Sequence, residues 1–199
     1  MVCIVVKASD STRMNISLCL PPDKLEELVL HISAMSENDS RFGSTKLNKL
    51  VWAADFKAFC ETGRTITGAP YQKGKYGPIP RAMPIILERL KKEGRLTLEK
   101  TPISNKDGAR PRAKARPDLS SFSQRDLGFV DKVIAENFGK TGTKMSRESH
   151  ERLAYKVAAE GETIPFAAWL IRTREPSNKE KKQGLELAAK HMTRHGGKT

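Results

Sequence analysis

A reactive site in this chain would have to be assembled from four histidines, three cysteines and a few glycine-rich stretches, and their spacing argues against one. His31, His150, His191 and His195 are dispersed. His191 and His195 stand four apart and could share a helix face, but a metal site needs at least a third protein ligand and the lysine-rich segment around them supplies none. Cys3, Cys19 and Cys60 never form a CxxC pair and read as incidental or buried thiols of a reducing compartment. The closing Gly-Gly-Lys-Thr has the end of a phosphate loop without its first glycine or a following helix. Gly68, Gly74 and Gly77 lack dinucleotide-binding spacing, and Asp55 and Glu61 are too few for acid–base work. The expectation is a binding protein with no catalytic residue, no metal and no cofactor.

What the sequence offers instead is charge. The formal net charge is +13, and it is unevenly placed. Residues 1–72 carry eight basic and eight acidic side chains and residues 119–170 seven of each, whereas residues 73–118 hold thirteen basic against five acidic and residues 171–199 eight against three. The excess in the two basic segments points to an anionic partner, either nucleic acid or an acidic protein surface. Lys73 and Lys75 lie in a turn, and Arg95, Lys100, Lys106, Arg110, Arg112, Lys114 and Arg116 lie on the arm that follows.

The elements that must position these residues follow from the apolar periodicity. Pro21-Pro22-Asp23 opens a first helix with Leu25, Leu28, Val29 and Ile32 on one face. A second helix, capped by Ser44 or Thr45, runs to Glu61 and ends at Gly63; Leu47, Leu50, Val51, Ala54 and Ala58 form its buried stripe, widened by Trp52, Phe56 and Phe59. Ile66 to Tyr76 reads as a short hairpin or tight loop. Pro80 opens a third helix to Lys92. Leu96 and Leu98 alternate as a strand, Asn105 to Gly108 has turn chemistry, and Arg110 to Arg116 returns as an edge strand containing Pro111. Ser123 with Asp126 makes a capping box for a fourth helix. Ser146 caps a fifth, through Glu160, and Pro165 opens a short sixth, through Ile171. The fold class expected is mainly α with a small β-hairpin or wing, a compact helical domain of about six helices. Residues 1–20 form an N-terminal extension, 21–174 the domain, and 175–199 a basic flexible tail, with a helix allowed over 183–194. The only apolar run near the start, Cys3 to Val6, is too short for a signal-peptide core, and no run approaches the ~20 residues of a membrane span. A cytoplasmic protein is expected.

A helix followed by two basic strands is also the order of a winged helix, in which the helix enters a groove and the strand loop touches phosphates. Arg81 and Arg89 are candidates for reading bases, although the same helix shows Met83, Ile85, Ile86 and Leu90, which belong in a core.

The segment Lys46-Leu47-Asn48-Lys49-Leu50-Val51-Trp52-Ala53-Ala54-Asp55-Phe56, with Thr62-Gly63-Arg64, Ile66-Thr67-Gly68-Ala69-Pro70-Tyr71-Gln72 and Tyr76-Gly77-Pro78-Ile79-Pro80, resembles the Panacea domain. This is the SocA-like antitoxin domain, also found in phage-associated proteins. Ser149-His150 and Glu162-Thr163-Ile164-Pro165-Phe166 resemble its C-terminal motifs, so the likeness spans about residues 25–170. It departs at Val51-Trp52, where two aromatics are common, and at the unusually basic Lys73-Gly74-Lys75. The resemblance implies an α-rich domain without known catalytic residues that neutralises a toxin by direct binding. The toxin would be encoded by an adjacent gene, and some members act as adaptors that deliver it to a protease. Asp55, Gly68, Pro70, Tyr71, Tyr76, Gly77, Pro78 and His150 are then motif residues with a structural role first. The alternatives are a winged-helix-like DNA-binding or autoregulatory protein, which would hold nucleic acid on the basic arm, and a phage accessory protein.

Overall fold

Helix α2, Ser44–Thr62, is apolar around most of its circumference, and a helix with no wholly polar face has to be surrounded. In the computed structural model it is. The structure describes residues 23–100 and 109–171, the short pairs Ile4–Val5 and Ser17–Leu18, and residues 182–183. Around α2 pack α1 (Lys24–Met35), α4 (Gln124–Asn137) and α5 (Gly142–His150), with a hairpin of β3 (Tyr71–Gly74) and β4 (Gly77–Pro80) on another side. The core runs from Leu28, Val29 and Ile32 through Leu47, Leu50, Val51 and Ala54 to Val130, Val133 and Trp169.

The remaining elements are β1 (Ile4–Val5) paired antiparallel with β2 (Ser17–Leu18), α3 (Met83–Lys92), the antiparallel pair β5 (Leu96–Lys100) and β6 (Ala109–Ala113), α6 (Leu153–Val157) and α7 (Phe166–Trp169). The chain is mainly α with small antiparallel hairpins, as its periodicity predicts. Pro111 faces Leu98 in a two-stranded ladder, where its missing N–H interrupts no further strand. Asn105 to Gly108, Lys106 among them, lie outside the described residues, as do the tail helix over 183–194 (apart from residue 183), His191 and His195, and nearly all of the N-terminal extension.

Several boundaries differ from the sequence reading, each for a local reason. Helix α2 has Gly43 at its N-cap and no side-chain cap; Ser44 Oγ instead donates to the carbonyl of Ala109, 2.8 Å away, and ties α2 to β6. The hairpin pairs residues 71–80, so Pro80 finishes a strand opposite Tyr71, and α3 starts at Met83 with Pro84 in its first turn. The expected fifth helix from Ser146 to Glu160 is two helices. Thr141 caps α5, and Ser146 stands inside it, donating to the carbonyl of Tyr76 at 2.8 Å. The helix breaks at Arg152, whose extended backbone lets Tyr155 on α6 reach the carbonyl of Gly74. The capping box of Ser123 and Asp126 is present on α4.

A strap completes the hairpin. Gly161 N–H donates to Lys73 O, Lys73 N–H to Glu162 O and Ile164 N–H to Tyr71 O, so residues 161–164 lie along the outer edge of β3. Phe166 then packs edge-on against Tyr71, ring centroids 5.1 Å apart.

Candidate functional site

Asp55 is fully buried in the middle of α2, and four donors converge on its carboxylate. The N–H groups of Ile66 and Thr67 donate at 2.8 and 2.9 Å, Tyr71 Oη donates at 2.8 Å, and Thr67 Oγ1 also donates. Burial raises the Asp55 pKa and these hydrogen bonds oppose the rise; burial together with the adjacent carboxylate pushes the Tyr71 phenol well above its ordinary value. The arrangement fixes the loop after α2 to the helix. Gly68 takes a left-handed φ of 70° in that loop, and Pro70 O accepts from Arg81 N–H. Asp55, Gly68, Pro70 and Tyr71 are thus gathered into one backbone-shaping unit.

Two lysines one turn apart on α2 are buried to 1% exposure, and sequence reading passed over both. Lys46 is satisfied: Nζ meets Asp39 Oδ2 at 2.5 Å and the carbonyls of Asn137 and Lys140 at the end of α4, where a cation suits the helix dipole. Lys49 is not. Among the described residues its one hydrogen-bond partner is Ser149 Oγ, at 3.4 Å, and burial depresses its pKa to about 7. Nζ lies against Gly77, whose φ of 109° brings the hairpin backbone close. Pro78 is buried beside it, paired with Lys73. His150 stacks on Tyr155 at 4.3 Å, and burial followed by the Lys49 charge lowers its pKa.

Lys49 also lines a cavity of about 340 Å³ between α2, α4 and α5, together with Trp52, Phe56, Met145 and Arg152. Its wall includes the parallel rings of Trp52 and Phe56, 5.2 Å apart. The sequence signal was the row 46, 49, 53, 56, 60 down one flank of α2, which puts lysines on a face that neighbouring helices cover.

The basic residues divide into two groups. Arg95 forms ion pairs with Glu26 at 3.0 Å and Glu27 at 2.8 Å, carboxylates that are 8% and 3% exposed, and these contacts raise its pKa. Arg110 donates to the carbonyls of Glu37 and Asp39, and Arg112 pairs with Glu37 and Glu99. Lys73 donates to Ala158 O across the Tyr155 ring. Lys75, Lys100, Lys114 and Arg116 are exposed, and Tyr76 is half exposed beside Lys75 at the hairpin turn. That turn is held from beneath by Ser146 and Tyr155, so it presents Lys75 and Tyr76 on a fixed backbone. The hairpin packs on α2 and α5, while β5 and β6 pack chiefly on α3 and α1, and β6 also touches α2.

Among the described residues no helix is long and apolar enough to cross a membrane, and no three His, Cys, Asp or Glu side chains are grouped to hold a metal. A family model described as "Antitoxin SocA-like, Panacea domain" matches residues 47–154. No curated protein and no solved structure matches the chain.

Proposed function

The chain belongs to the SocA-like antitoxin family with the Panacea domain, and from that premise we propose that it neutralises a cognate toxin by direct binding. The mechanism is occlusion of the toxin surface rather than catalysis. The observation that carries this reading is the rigid, exposed basic turn at Lys75 and Tyr76, within the matched segment and tied down by α5 and α6. With Lys100, Lys114 and Arg116 on the arm, and Lys106 between its strands, it supplies cations to an acidic toxin surface; a toxin whose site is itself positive would be repelled. Delivery of the toxin to a protease is a further step the same surface could serve.

The nucleic-acid alternative draws less support. A wing contacts phosphates with free cations, and Arg95, Arg110 and Arg112 are engaged within the protein. A cytoplasmic location fits the proposed role.

The test is co-expression with the adjacent gene, scored by growth rescue and co-purification. Rescue with a stable complex, lost when Lys75, Lys100, Lys114 and Arg116 are replaced by alanine, supports the reading. A harmless neighbour that does not co-purify overturns it, and a salt-titrated DNA-binding measurement then decides the alternative.

A further inference from the structure

The described body of the chain ends beside the cavity between α2, α4 and α5. The Trp169 ring on α7 lies 5.1 Å from that of Trp52, which lines the cavity, and Ile171 follows two residues on. The cavity opens to solvent as a trough. Ala53 and Phe56 in its lining are only partly covered, and Cys60, Glu61, Glu136 and Glu148 stand exposed around them. Helices α4 and α5 each bring one glutamate, Glu136 and Glu148, and neither has an ion-pair partner among the described residues. An apolar lining with unpaired acids at its mouth suits a basic amphipathic helix.

The sequence after Ile171 contains one. Ser177 to Glu180 has the Ser-x-x-Glu capping-box pattern, and Gly196-Gly197 is a stop signal. Between them Lys182 and Gln183 are helical. Leu185, Ala188, Ala189 and Met192 recur at the spacing of one helix face, and residues 178–194 carry five basic against two acidic side chains. We propose that residues 178–194 form a helix that docks in the trough, with the stripe from Leu185 to Met192 on Trp52 and Phe56 and its cations answering Glu136 and Glu148. The dimensions agree. At 1.5 Å per residue the stripe is about 10 Å long, and α2 from Ala53 to Glu61 is about 12 Å. The six residues 172–177 reach up to about 20 Å, and so short a tether holds the helix at the trough at roughly millimolar effective concentration. That tether favours the chain's own segment over a free partner.

The docking is independent of toxin binding and is tested on the full chain alone, with Cys60 as the reporter because it is an exposed thiol in the trough lining. Alkylation of Cys60, followed by peptide mass mapping, is expected to run at least fivefold faster in Leu185→Asp than in the unaltered chain. Leu187 lies on the opposite side of the same helix, and Leu187→Asp is expected to change the rate less than twofold. Both substitutions lie outside the core, so folding is not at stake. Carbodiimide treatment of an equal mixture of ¹⁴N and ¹⁵N chains supplies the second readout. Cross-links from lysines of 178–194 to Glu136 or Glu148 are expected within chains of one isotope. Cross-links equally shared between the isotopes would place a second copy in the trough and overturn the proposal. Equal Cys60 rates in Leu185→Asp and the unaltered chain, or equal acceleration by Leu185→Asp and Leu187→Asp, would overturn it as well.

Discussion

The Nζ of Lys49 fills the space on Gly77 in which a side chain would begin. The two residues are far apart in sequence, and their approach locks the hairpin onto α2. Gly77→Ala therefore has to displace a buried amine and also hold alanine at a φ of 109°. A loss of about 2–4 kcal/mol is expected in urea unfolding. Gly68→Ala is the comparison: its φ is also positive, but nothing lies within 4 Å of the added carbon, and about 1 kcal/mol is expected.

The same lysine sets a pH dependence. Its pKa is about 7 in the folded chain and near the ordinary 10.5 when unfolded, so between these values the unfolded state binds more protons. Stability from this group is fully present above the unfolded value and is lost as pH falls toward 7, with a slope of up to about 1.4 kcal/mol per pH unit. Lys49→Met should flatten the rise in unfolding free energy between pH 7 and 10. An unchanged slope in the variant would show that the amine is hydrated in the native protein.

Asp55→Ala leaves Tyr71 Oη and the N–H groups of Ile66 and Thr67 without their acceptor. The expected loss is on the order of 3–5 kcal/mol, against about 1 kcal/mol for Tyr71→Phe, which removes one donor and leaves the carboxylate three. Chemical denaturation of the two variants checks the ratio.

Arg95→Ala separates fold from partner. It takes from the buried Glu27 its arginine, leaving it the Asp118 N–H, and from Glu26 one of two arginines, Arg89 remaining, and should cost about 2 kcal/mol of stability. Lys114→Ala and Arg116→Ala should change stability by less than about 0.5 kcal/mol, while weakening the toxin complex. A thermal melt and a pull-down on the same preparations distinguish the two effects.

The helices were legible where one force dominated. The capping box at Ser123, the stripe from Leu47 to Ala58 and the αL terminus at Gly63 each act locally, and each lies where the sequence puts it. The errors came from residues whose partners are remote. Ser44 and Ser146 look like caps, but Ser44 Oγ is used by Ala109 O and Ser146 Oγ by Tyr76 O, contacts no local pattern encodes. The arginines of the arm look like a free basic surface for a similar reason. Glu26, Glu27 and Glu37, which neutralise them, lie on or beside α1, far back in the sequence. The cavity was the least visible feature, because lysine in a helix ordinarily signals solvent and here signals a covered face.

The strap of residues 161–164 gives the hairpin a history. β3 and β4 can pair as soon as residue 80 leaves the ribosome, but the outer edge of β3 stays open until Ile164 has followed. At about 5–20 residues per second that interval is on the order of ten seconds. During it an unpaired strand edge is exposed on every nascent chain, available to other strands or to a protease.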